Sequence, residues 1–117
     1  MIKIENDLGK IVIDNNVIST IAGLSAMESY GIVGMASKNA KDGLFELLKW
    51  DYMSKGVNVN SDNDNLTIDL HVILEFGVKI SVVASNIMDK VKFSVENLTG
   101  LKVDKVNVLV QGIRVEK

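Results

Sequence analysis

Leu66-Thr67-Ile68-Asp69-Leu70-His71-Val72-Ile73-Leu74-Glu75-Phe76 is the stretch from which the fold can be read. Leu66, Ile68, Leu70, Val72, Leu74 and Phe76 alternate with Thr67, Asp69, His71, Ile73 and Glu75. A β-strand turns successive side chains to opposite faces, so a period of two over eleven residues predicts a strand with one face on a core. Just upstream, Ser61-Asp62-Asn63-Asp64-Asn65 is rich in side chains that bond their own backbone. It predicts a turn, with Val57-Asn58-Val59 as the hairpin partner. Downstream the period changes: Ile80, Val83, Ile87, Val91, Ser94, Val95 and Leu98 recur at helical spacing. A long helix is expected there, with Lys90, Lys92, Glu96 and Asn97 mostly outside and Thr99-Gly100 as its end.

Working outward, Val106, Val108 and Val110 alternate with Asn107, Leu109 and Gln111 and predict a last strand, extending towards Val115. Toward the other end, Gly9-Lys10-Ile11-Val12-Ile13 predicts the first strand, which Asp14-Asn15-Asn16 stops while supplying a helix cap. Val17, Ile21, Leu24 and Glu28, with Ile18, Ala22 and Ser25 beside them, predict a helix facing the sheet as far as about Tyr30, with Gly31 as its stop. Gly31-Ile32-Val33-Gly34-Met35-Ala36-Ser37 follows as a second strand. Between Lys38 and Ser54, Leu44, Phe45, Leu47 and Leu48 predict a short third helix. The resulting fold class is α+β: a two-layer sandwich in which a small mixed sheet carries two main helices on one face. Residues 1–117 are expected to form a single domain, since no linker, repeat or low-complexity tract divides them.

Composition narrows the function classes. The chain has 117 residues, is 47 % hydrophobic and carries a formal charge of −2, with Lys+Arg 13 against Asp+Glu 15. Such a balance provides no net field to attract phosphate backbones or anionic lipid. No stretch approaches the roughly 18 to 20 apolar residues of a membrane span, and Met1 to Asp7 lacks the layout of a secretion signal, so a cytoplasmic location is expected. The absence of cysteine removes disulfides and thiolate chemistry and fits a reducing compartment. His71 is the sole histidine; with no cysteine and no second imidazole, a nitrogen or sulfur metal site lacks ligands, and Asp69–His71 is a weak catalytic pair. Asp62 to Asn65 superficially resembles a calcium loop, but the twelfth position from Asp62 is Ile73, which cannot supply the closing carboxylate. Gly31 and Gly34 complete no phosphate-binding fingerprint, and no serine stands in a nucleophile-elbow setting. No catalytic residue, metal or cofactor is therefore assigned.

Contact surfaces have more to support them. Phe45, Leu48, Trp50, Tyr52 and Met53 concentrate large aromatic and sulfur side chains, the types enriched at interface hot spots, and form the candidate interaction surface. Their alternative is a lid over the core. The last strand offers a second candidate, as a sheet edge able to pair with another chain.

The pattern as a whole resembles the alkaline shock protein family of bacterial envelope-stress proteins. The resemblance is carried by Gly9-Lys10-Ile11-Val12-Ile13, by Val17 with Ile21-Ala22, and by Gly31-Ile32-Val33-Gly34-Met35. It continues through Gly56-Val57-Asn58-Val59, Leu70 to Gly77, Asn86-Ile87 with Val91, Thr99-Gly100-Leu101 and Val106-Asn107-Val108-Val110-Gly112-Ile113, covering nearly the whole chain in order. The departure from the pattern is the aromatic-rich stretch from Phe45 to Tyr52. What the resemblance implies is a non-enzymatic cytoplasmic protein, abundant or induced under envelope stress in some relatives and recruited to the inner face of the cell membrane by an anchor protein in others. With no constellation for chemistry in the chain, an envelope-stress or housekeeping interaction protein that self-associates is expected. Two rivals come from other classes. A nucleic-acid module would use Lys38, Lys41, Lys49 and Lys55 around Trp50 and Tyr52, and a small-molecule or lipid carrier would hold its ligand beneath Leu47, Trp50 and Met53.

Overall fold

The computed structural model describes residues 2–36, 56–62 and 65–115. In chain order the elements are β1 (Ile2–Asn6), β2 (Gly9–Ile13), α1 (Asn15–Met27), β3 (Ile32–Met35), β4 (Val57–Asp62), β5 (Asn65–Glu75), α2 (Ile80–Thr99) and β6 (Val103–Arg114). The short helix expected between Lys38 and Ser54 lies outside the described residues.

The alternating strand is the spine of the sheet. One edge of β5 pairs in parallel with β6 from Leu66↔Val103 to Glu75↔Arg114, so the sheet is mixed as expected. Its other edge is shared end to end by two antiparallel strands: β4 takes Asn65 to Leu70, and β3 takes Val72 to Leu74. Leu66, Ile68, Leu70, Val72 and Leu74 are all nearly or fully buried. They meet Ile18, Ala22 and Ala26 of α1 and Val83, Ile87, Val91 and Val95 of α2 in one core. Both helices thus lie on the same face, and the two-layer α+β reading holds.

Several details depart from the sequence reading. α1 is turned so that Ile18, Ser19, Ala22, Gly23, Ser25 and Ala26 are buried, while Val17 is 47 % exposed and Ile21 and Leu24 lie half-buried at its flank. The small side chains face inward because they let the helix axis approach the sheet closely, and interaxial distance depends on what stands at the contact. In α2 the central positions are core as expected, but Ile80 and Leu98, at its two ends, are exposed. Phe76 also leaves the core face: β5 ends at Glu75, and the ring is 69 % exposed. Finally, the chain opens with a hairpin. Ile2–Asn6, which the sequence reading assigns to no element, pairs with the anticipated Gly9–Ile13 strand in a separate two-stranded sheet.

The caps follow local chemistry. Asp14 caps α1 by accepting the Asn16 N–H at 2.9 Å, satisfying one of the donors a helix start leaves free. Gly100 closes α2 in the left-handed conformation (φ 76°), as its position after Thr99 predicts. Glu96 then joins α2 to the sheet, its carboxylate accepting the N–H of Val103 at 2.9 Å.

Candidate interaction surface

The surface expected at Phe45, Leu48, Trp50, Tyr52 and Met53 lies outside the described residues, as do the lysines and the pocket invoked for the rival readings. What the described residues bring forward instead is the β1–β2 hairpin. Its turn is formed by Asp7 and Leu8, and Asn6 holds it by accepting the N–H groups of Leu8 (2.8 Å) and Gly9 (3.2 Å) on its side-chain oxygen. Such a side chain mimics a backbone turn. Register places Ile2 opposite Ile13 and Ile4 opposite Ile11, so four isoleucines share one face of the ribbon. Lys3 opposite Val12 and Glu5 opposite Lys10 occupy the other.

Among the described residues, the ribbon is tied down at its root. Ile2 and Ile13 pack against the core, whereas Ile11 and Val12 are each 50 % exposed and Leu8 at the tip is 98 % exposed. A two-stranded hairpin alone in water is marginally stable and gains stability from a third strand or a packed face. Between β1 and the end of the main sheet lies a half-open cleft of about 300 Å³, lined on its apolar side by Ile2, Ile4, Leu66 and Leu101. Lys3 and Lys102 border it.

The last strand is the other surface expected from sequence. β6 pairs internally along β5, and its outer edge has no strand partner among the described residues. The register shifts twice along it, at Leu66/Thr67 and at Val72/Ile73. Bulges of this kind, together with Asp104, Lys105 and Arg114, are how natural edge strands resist pairing with other chains.

On the sheet face away from the helices, Thr67, Asp69, His71 and the buried Ile73 of β5 stand in line. Asp69 there accepts from the side-chain amide of Asn107 at 2.8 Å, and Nδ1 of His71 lies 3.2 Å from the carbonyl oxygen of Gly56. These two residues, neighbours on one strand face, are each engaged by a structural partner. Among the described residues no cluster of three His, Cys, Asp or Glu side chains could hold a metal ion, and no helix is long and apolar enough to cross a membrane.

The hairpin is partly legible in the sequence. Gly9 to Ile13 reads as a strand, but as part of the main sheet; the signal that completes the hairpin is the Ile2/Ile4 alternation followed by Asn6-Asp7 just before Gly9.

Comparison with known proteins agrees with this fold-wide pattern. Over 115 residues the chain is 48 % identical to YloU, an uncharacterized protein of Bacillus subtilis, covering 97 % of this chain and 96 % of that one. It is 44 % identical to the uncharacterized protein Spy1614 of Streptococcus pyogenes, over 97 % and 95 % of the two chains. A more distant likeness, 28 % over 112 residues, is to a Streptococcus pyogenes homologue of the stress response regulator gls24; it covers 93 % of this chain and 61 % of the relative. No solved structure matches. Residues 3–115 match the model of the alkaline shock protein 23 family, described as having a cell envelope-related function, and with that near-complete match the chain belongs to this family.

Proposed function

We propose that this chain is a non-enzymatic interaction protein of the envelope stress response, working in the cytoplasm by self-association and by docking to a membrane-anchor protein. The family's cell envelope-related description and the gls24-like relative support the setting. The observation that carries the mechanism is the hairpin, with its exposed Leu8 and Ile11 and a ribbon face of isoleucines that, among the described residues, meets the core at its root through Ile2 and Ile13. Exposed, contiguous apolar surface of this kind marks contact sites in proteins that otherwise hide it.

Light scattering coupled to size exclusion, over a hundredfold range of concentration, tests self-association directly. A mass of two or more chains that falls on dilution is expected, and a single-chain mass throughout defeats the reading. Recruitment is tested by fractionating native cells. The protein should pellet with membranes and be released by alkaline or high-salt washing, as suits attachment through a partner; absence from the pellet under envelope stress removes the anchor.

A further inference from the structure

The outer edge of β1 has the requirements of a self-complementary interface. No described strand pairs with it, and its five residues run in regular register with β2, without the bulges that blunt β6. Lys3 and Glu5 are exposed on one face of the ribbon; Ile4, between them, points to the other. We propose that β1 pairs antiparallel with β1 of a second copy about a two-fold axis at Ile4. This inference rests on the self-association reading and assigns it a surface.

The order of charges selects the partner. With Ile4 opposite Ile4, Lys3 stands opposite the partner's Glu5 and Glu5 opposite the partner's Lys3, two favourable cross-strand pairs from a single strand. A parallel in-register pairing would set Lys3 against Lys3 and Glu5 against Glu5. The edge of β2 offers nothing equivalent, for in antiparallel pairing about Ile11 its Lys10 would meet Val12. The two-fold axis runs perpendicular to the ribbon, so the isoleucine faces of both copies fall on the same side of a four-stranded sheet. The hairpin thereby acquires the further strands that an isolated ribbon lacks. Ile2 comes opposite the partner's Asn6, which brings the partner's tip, with Leu8, toward the cleft bordered by Lys3 and Lys102.

Charge reversal with mixing gives the test, since each copy must supply both signs. Lys3→Glu alone and Glu5→Lys alone place like charges opposite one another across the axis, and each should weaken self-association by on the order of tenfold or more. An equimolar mixture of the two variants pairs Lys with Glu at both positions and should recover the wild-type mass as a heterodimer. Both positions are exposed, and far-ultraviolet circular dichroism checks that the fold is kept. The cysteine-free chain permits a second readout: Ile4→Cys should give a covalent dimer on mild oxidation, whereas Ile11→Cys, a strand away from the axis, should not. If wild type associates but the single variants associate equally well, or their mixture fails to recover, the β1 interface is wrong while self-association stands. If wild type is a single chain at every concentration, both fall.

Discussion

At Gly56 a missing methyl group sets how closely two parts of the chain meet. A Cβ there would lie 2.7 Å from the carbonyl oxygen of Ala36, closer than real contacts allow, and a tight 3.0 Å from Cβ of Met35; the first obstacle is backbone that cannot rotate away. Gly56→Ala should therefore cost about 1–3 kcal/mol by overpacking, seen as a lower urea midpoint with an unchanged slope. Gly31 combines tight space with backbone conformation: its φ is 86°, and a Cβ would sit 3.1 Å from a methyl of Val83. The sequence reads Gly31 as a helix stop, and its turn does follow α1, but the contact with Val83 joins residues far apart in the chain. Local composition can announce a turn; it does not reveal which distant side chain will press against it.

Among the elements, β5 and α2 are legible because a long period leaves one solution: alternation over eleven residues is a strand, and Val83, Ile87, Val91 and Val95 trace one helical stripe. α1 admits two stripes. Val17, Ile21 and Leu24 outrank Ile18, Ala22, Ser25 and Ala26 in bulk, and hydropathy alone selects the bulkier set. The packed structure selects the smaller, because the helix lies close against the sheet and α2. β1 escapes a local reading since five residues, three of them polar, form a strand only when β2 is there to pair with. The parallel place of β6 beside β5 is likewise beyond local reading, as strand order depends on partners distant in sequence. One contact at the start of β6 can be tested. Glu96 on α2 accepts the N–H of Val103, the first residue of β6. Removing the acceptor with Glu96→Ala should cost about 1–3 kcal/mol and speed hydrogen exchange at the Val103 amide, whereas Glu96→Gln, which keeps an oxygen in place, should retain most of the stability.

For the molecule as a whole, the hairpin and the helix–sheet body are energetically separable. Leu8 is almost wholly exposed and Ile11 half-exposed and away from the core, so replacing them with Ser and Thr should change the urea stability of a single chain by no more than about 1 kcal/mol. The same double variant should lower the mass seen by light scattering, and a large loss of stability instead would show that the ribbon belongs to the core. The arrangement around β5 also has a consequence during synthesis. β3, β4 and β6 all depend on that one strand, and β6 is the last of them to leave the ribosome. Until Val103 to Arg114 have emerged, a nascent chain carries the strand that supplies Leu66, Ile68, Leu70, Val72 and Leu74 to the core with one long edge bare, and long-range pairings of this sort close slowly. Chains halted after Gly100 should accordingly collect in the insoluble fraction or on chaperones, and the cell's supply of this protein would then depend on how quickly its final strand is delivered.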